Sequence, residues 1–237
     1  LVEEADVPSL AALLARGFPP HPSQQQIHGH FAQQHGAEPR AVRMERGLRW
    51  RLGPRLADPT LELPHTSSLA LGLLHRGDVD GAPPRLVAAA ELSLRPKDGT
   101  LPAEFAVPPV FTLHAQQALS PYIYNVVVDA SFRGQRLGSR LLRSCEHLIW
   151  REWGYGEVHL HVDLGNAHAV ALYEGSGYEA LPEFDAAAAI SAPVVVEAEE
   201  GAIRRVLNRY YRKQLSKRAP AREAAAASSS GAPQSQD

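Results

Sequence analysis

The 237 residues suffice for one sizeable domain, and 44% hydrophobic with 21% charged residues is close to globular averages and far from a disordered composition. The formal net charge of -2 gives no general attraction to nucleic acid or to an anionic membrane, so partners must be argued from local sites. A single cysteine, Cys145, excludes an intrachain disulfide, and no apolar run approaches the roughly 20 residues needed to span a bilayer.

Asp6 can cap a helix near 8–17 whose Leu10, Leu13, Leu14 and later Phe18 share a face, with Pro8 tolerated in the first turn. From Ser23 to Leu56 the pattern is helical but interrupted by Gly29, Gly36, Pro39, Gly47 and Gly53, which predicts two imperfect helices near 23–34 and 40–52. Ser68–His75 and Arg85–Arg95 read as strands joined by "RGDVDGAPP", a composition suited to a long hairpin connection, and should pair antiparallel. A proline-rich loop, "RPKDGTLPAEFAVPPVFTLHAQQALSP", precedes a strand over Tyr122–Val128.

Leu137, Leu141, Leu142, Cys145, Leu148 and Ile149 keep the helical period to Trp150, which makes Cys145 a packed core thiol in preference to a nucleophile. Glu157–Val162 is a strand, Asn166 opens a helix through Tyr173, "GSGY" ends it, and a short strand follows Gly177. The strand–helix–strand–helix–strand order makes this half an α/β unit. Beyond it lie an alanine-rich insertion over 183–200 containing Val194–Val196, and Ile203–Leu215, expected to form a last strand in preference to a basic helix. Residues 216–237 lack large apolar side chains and are expected to be a disordered tail.

The stretch "NVVVDASFRGQRLGSRLL" passes from β-branched residues through a basic, glycine-bearing loop into a helix. The first N–H groups of a helix have no intrahelical partner and lie at the positive end of its dipole, which favours an anion there. Gly134 and Gly138 permit close backbone approach, and Arg133, Arg136 and Arg140 add positive charge. Neither the P-loop nor the dinucleotide pattern of glycines is present, so the loop alone leaves open a phosphate cradle and a basic turn with glycines for tight packing.

Together with "NAHAVALYEGSGY", this stretch resembles the acetyl-CoA-binding half of the GNAT (Gcn5-related N-acetyltransferase) superfamily. Arg133 and Gly138 match the first and last positions of the family's first motif, while Arg136 stands where glycine is usual. The resemblance implies a mixed α/β acyl-CoA N-acyltransferase fold: a mostly antiparallel central sheet with a splayed parallel strand pair, flanked by helices. It would form one domain over 1–215 with its cofactor-binding core at 121–181. Within the superfamily, "YIYNVVVD" and "WGYGEVHLHVDLGNAHAVALYEGSGY" look most like plastid acetyltransferases of plants and algae that modify protein lysines and N-termini.

What the resemblance implies about the site is specific. Acetyl-CoA is the acyl donor and a protein or peptide amine the acceptor. Backbone groups of Val126, Val127 and Val128 hold the pantetheine arm and polarise the thioester. The segment Arg133, Gly134, Gln135, Arg136, Leu137, Gly138 and Ser139 cradles the pyrophosphate, and Asn166, Ala167, His168 and Tyr173 complete the coenzyme site. Tyr173 is the expected general acid toward the departing thiolate. The location implied is the plastid, with the transit segment absent from a chain beginning at Leu1, and otherwise the cytoplasm.

Other chemistry also has candidate residues. Glu91 and His161 are candidates for removing the proton of the amine. His159 and His161 share a strand face at the spacing of a metal pair, but no third ligand accompanies them and no metal is expected. "IRRVLNRYYRKQLSKR" interleaves tyrosines with cations, yet such runs are more often solvated faces and the chain as a whole is not basic, which argues against nucleic acid. A small-amine acetyltransferase and a catalytically silent acyl-CoA sensor are the competing readings.

Overall fold

The computed structural model describes residues 1–18, 39–57, 68–77, 83–101, 119–191, 194–196 and 203–215. The helix expected near 23–34, most of the proline-rich loop and the tail over 216–237 lie outside the described residues. Helix α1 (Val7–Gly17) buries Val7, Leu10, Leu13 and Leu14, and packs on α2 (Arg40–Ala57) through Leu48 and Leu52. The expected end of α2 at residue 52 is exceeded. Each glycine in it costs about 1 kcal/mol, which two fully buried leucines more than offset.

Strands β1 (Leu69–His75) and β2 (Arg85–Pro96) form the anticipated antiparallel pair, Leu69 facing Leu92 and His75 facing Arg85. Then follow β3 (Leu119–Val128), starting three residues earlier than the pattern indicated, α3 (Leu137–Arg151), β4 (Glu157–Asp163), α4 (Ala167–Gly175) and β5 (Glu179–Ala180). The alanine-rich insertion contains α5 (Asp185–Ser191). The single strand expected over 203–215 is in fact two. β7 (Ile203–Arg205) pairs with β6 (Val194–Val196) in a separate ribbon, while β8 (Asn208–Gln214) enters the main sheet between β4 and β5. Tyr210 and Tyr211 are each 2% exposed, consistent with a strand covered on both faces. The basic residues of β8 are largely committed to carboxylates: Arg209 to Asp185 (2.7 Å), Lys213 to Glu146 (2.6 Å) and Arg212 to Glu179 (3.8 Å).

The main sheet has the order β1-β2-β3-β4-β8-β5. Every neighbouring pair is antiparallel except β3 and β4, which run parallel and share one paired position, Tyr122 with His159. One face carries Leu69, Ala88, Ala90, Leu92, Ile123, Val158, Leu160 and Tyr211 into contact with Leu141, Leu142, Cys145 and Ile149 of α3. On the opposite face, α1 and α2 cover Ala70, Leu86, Ala89 and Val127. Gly17 ends α1 where a Cβ would stand 2.1 Å from a methyl of Val127, so only glycine lets the helix end against β3.

Candidate active site

Beyond its apolar contact with α1 and α2, that second face turns polar and aromatic. Glu91 and Ser93 of β2, Tyr122 and Tyr124 of β3, His159 and His161 of β4 and Tyr210 of β8 meet there. Past the single pairing of Tyr122 with His159 the parallel strands separate, and a cleft of 610 Å³ lies between Asn125 and Val126 on one side and Val162 and Asp163 on the other. Asn166 and Tyr173 of α4 line it from one end, and Leu14, Arg43 and Met44 of α1 and α2 from another. Parallel strands that part leave main-chain groups without ladder partners, which is where an extended ligand can be held by the backbone.

A bulge shapes the wall at β3. Ala89 faces Val127 but Glu91 faces Tyr124, so β3 contains an extra residue there, and Asn125 takes a φ of +51°. Asparagine is among the few residues that accept the left-handed region. Its Nδ2 donates to Glu91 Oε1 at 2.7 Å. Glu91, 1% exposed, also receives Arg51 in a two-pronged ion pair, Nε to Oε2 and Nη2 to Oε1, both 3.0 Å. Ser68 Oγ and the Tyr124 hydroxyl are 2.6 Å apart beside it. The bulge shifts the strand alternation, so that Tyr122, Tyr124 and Val127 share one side while Ile123 and Val128 contact the core beneath α3.

The loop from β3 to α3 is anchored at its start. Asp129 accepts from Ser131 N–H at 3.1 Å, Arg85 at 2.7 Å and Arg16 at 3.2 Å; these donors, the Ser131 N–H foremost, hold its carboxyl below the usual carboxylate range. Gly134 has φ +79° and Arg136 φ +58°, two left-handed residues with Gln135 between them. Among the described residues, the N–H groups of 134–139 donate to no backbone carbonyl, and Arg140 is the first to close a helical bond, to Arg136 (3.1 Å). Successive unpartnered N–H groups in such a turn form an anion-binding concavity. Arg136 therefore occupies a position whose geometry favours glycine, which costs about 1 kcal/mol, and its side chain is exposed.

The sequence-predicted residues are distributed as follows. Arg133, Gly134, Gln135 and Arg136 are exposed on the loop, and Leu137, Gly138 and Ser139 are half-buried at the start of α3. A Cβ on Gly138 would approach Leu172 to 3.0 Å, so this glycine lets the loop close on α4, the helix that carries Tyr173. Val126 lines the cleft, Val127 is buried against α1, and Val128 is half-buried over the core. Asn166 lines the cleft and caps α4, its Oδ1 accepting from Ala169 N–H at 3.1 Å. Ala167 and His168 are exposed on the first turn of α4, outside the cleft lining.

Tyr173 is 7% exposed, lines the cleft and meets Tyr178 edge-to-face at 5.8 Å. Burial, then the nearby Cys145, raises its pKa well above the ordinary tyrosine value, so it keeps its proton at neutral pH. Cys145 is fully buried, and burial pushes its thiol up to about 12, which leaves no thiolate for nucleophilic chemistry.

The two candidate proton acceptors are both engaged. Both oxygens of Glu91 are taken by Arg51 and Asn125. His161 Nε2 lies 2.9 Å from the Gly99 carbonyl, which can only accept, so Nε2 carries the hydrogen and Nδ1 accepts from the Tyr122 hydroxyl at 2.8 Å. His159 Nδ1 is 3.0 Å from Ser120 Oγ, and its ring stacks on Tyr210 at 5.0 Å. Burial lowers the pKa of each histidine to about 4. Among the described residues no group of three metal-ligating side chains occurs. The residues that sequence reading passed over are Arg51, Asn125, Tyr122, Tyr124 and Tyr210. The alternation Tyr122-Ile123-Tyr124 against His159-Leu160-His161 was the available signal that one face of two neighbouring strands is polar.

Residues 80–178, from before β2 through the end of α4, match the sequence model of the Acetyltransferase (GNAT) family. Over that stretch, 99 of the 237 residues, the chain is similar to the family. It is also 35% identical over 60 residues to "GCN5-related N-acetyltransferase 4, chloroplastic" from Arabidopsis thaliana; the match takes in 25% of this chain and spans 20% of that relative's length. Among solved structures it is similar to a ribosomal-protein-alanine N-acetyltransferase from Brucella melitensis (TM-score 0.48, 19% identity, 90% of this chain and 97% of that one). Another is the ribosomal-protein-S18-alanine N-acetyltransferase from Escherichia coli (TM-score 0.44, 16% identity, 93% and 94%). The GNAT fold expected from the motifs is the fold observed: a mostly antiparallel six-stranded sheet, one parallel pair and flanking helices. Among the described residues no helix is long and apolar enough to cross a membrane.

Proposed function

We propose that the chain is an acetyl-CoA-dependent N-acetyltransferase acting on a protein or peptide amine, with residues 1–215 as one catalytic domain. The observation that carries the reading is the opening between β3 and β4 with Tyr173 at one end and the six unpartnered N–H groups of 134–139 on the adjoining loop. Acetyl-CoA supplies an acyl group as a thioester. The N–H groups of the loop fit a diphosphate, and Gly134, where a Cβ would meet nothing within 4 Å, leaves room for one. Main-chain groups at the bulge, near Val126, are suited to hold the amide-bearing arm and to stabilise negative charge developing on the acyl oxygen.

In the transfer, the neutral amine nitrogen bonds to the acyl carbon, the carbon–sulfur bond breaks, and the thiolate takes a proton from the Tyr173 hydroxyl. The proton shed by the amine nitrogen passes to solvent, from which Tyr173 is reprotonated. Burial keeps Tyr173 protonated at neutral pH, so its hydroxyl is present to hydrogen-bond or protonate the departing thiolate. Glu91 is engaged by Arg51 and Asn125 and His161 by Tyr122 and Gly99, which favours an acceptor that reaches the cleft as a neutral amine. This favours α-amines, with an ordinary pKa of about 8, over lysine side chains at about 10.4. A plastid location belongs to the same proposal, supported by the relative named as chloroplastic.

The test is a reaction of the protein with acetyl-CoA and a mixed peptide library, read by mass spectrometry at both lysine and α-amine positions. Acetylated α-amines are expected, and Tyr173→Phe should lower kcat about 100-fold or more with little change in CoA affinity. A protein that binds CoA, transfers no acetyl group and is indifferent to Tyr173→Phe would be the silent sensor instead.

A further inference from the structure

The cleft is lopsided in charge. Among the described residues that line it, Arg40, Arg43, Arg51 and Arg95 are cationic and Asp163 alone is anionic. Asp163 is exposed at the end of β4, next to Asn166 and on the strand opposite the arginines, with one oxygen accepting from Gly165 N–H at 2.8 Å. Arg51 is matched by Glu91. Arg43 and Arg95, both half-buried, have no carboxylate partner among the described residues; Arg95 Nε donates to Ser93 Oγ at 3.2 Å. The arginines come from two elements, α2 and β2, that flank the sheet face bearing Tyr122 and Tyr124, and the charge of Arg95 is felt at both of those hydroxyls. That is the face opposite α3, hence away from the loop at 134–139.

A partly enclosed cationic wall repels ammonium groups and attracts carboxylates. From this we infer that the acceptor is anionic close to its reacting amine: a peptide amine followed within its first few residues by Asp or Glu, whose carboxylates are met by Arg43 and Arg95. The inference rests on the acetyltransferase reading above and deepens it, since it disfavours polyamines and lysine-rich segments as acceptors. It also accounts for the lack of a free base. The same positive charges disfavour an ammonium in the cleft, so the bound amine gives up its proton to solvent more readily.

The experiment uses two C-terminally fluorescein-labelled peptides of equal length, one with Asp-Glu and the other with Lys-Lys after the same N-terminal residue, and spermidine. Acetyl transfer is measured for all three, and binding of the two peptides to the CoA-saturated protein by anisotropy. The acidic peptide should show about tenfold higher kcat/KM and correspondingly tighter binding, a few-fold from each partly exposed charge contact. That margin should shrink in 0.5 M KCl. The double variant R43E/R95E should reverse the order of the peptides and R43K/R95K should keep it, with CoA affinity and melting temperature unchanged in both. Equal or better use of the basic peptide or spermidine, or an order that survives R43E/R95E, overturns the inference while leaving acetyl transfer intact. Preferential binding of the acidic peptide without transfer to any amine overturns the acetyltransferase reading and leaves the charge preference standing.

Discussion

Leu92 and Leu160 point from the sheet toward α3 and meet Leu141, Leu142 and Ile149, whereas their neighbours Glu91, Ser93, His159 and His161 point the other way into an ion pair, hydroxyls and rings. The same strands thus present two kinds of interior. Beneath α3 the contacts are non-directional, and any side chain of the right volume retains most of their free energy. On the opposite side the contacts are directional hydrogen bonds and ion pairs, and a group that loses its partners bears its full desolvation cost. The apolar face holds the strands together where they pair. The polar face determines where they part, because Arg51, Glu91 and Asn125 hold the bulge at which β3 leaves β4.

If that contrast is right, Glu91→Ala should be the most damaging of the changes considered. It strands the buried Arg51 charge and should cost about 3–5 kcal/mol in urea unfolding. A loss below about 1 kcal/mol would break the distinction between the faces. Leu142→Ala should cost about 2–5 kcal/mol but Leu142→Met less than about 1.5 kcal/mol, since volume is what matters under α3.

The pH dependence sharpens the same comparison. His159 and His161 titrate near 4 when folded, below the ordinary 6.5, so the unfolded chain takes up protons first as pH falls. Their contribution is complete above about pH 6.5 and diminishes on acidification, on the order of 1–2 kcal/mol for each by pH 5, where most carboxylates remain ionised. Unfolding midpoints that stay level from pH 7 to 5 would contradict it. The smallest effect is expected outside both faces. Arg136→Gly relieves a left-handed residue but loosens the unfolded chain, for a net gain of about 0.5 kcal/mol or less, read as a slightly higher melting temperature.

Legibility in the sequence followed the range of the interactions. The helix α3 was plain from Leu137 to Trp150 because its buried residues recur with the period of its own backbone, and the packing of Cys145 followed from the same row. The loop at 133–139 was legible because glycines, arginines and a helix start all lie within a few residues, and Asn166 showed as a cap for the same reason. The division of 203–215 into two strands was not legible, since what separates them is which partner each finds, β6 or β4, far away in the chain. Glu91 was noticed as a carboxylate, but that it is held by Arg51, 40 residues away, and Asn125, 34 away, has no local mark.

By itself the sequence determined the periodic elements, the glycine-bearing basic turn and the family motifs, all of which depend on residues close enough along the chain to constrain one another directly. Only the tertiary structure decided which carboxylate is neutralised, which histidine nitrogen carries the proton and which arginines face the cleft. Those properties belong to pairs of groups brought together across the sheet, and both the cost of desolvating a charge and the gain from pairing it exist only once the strands are side by side.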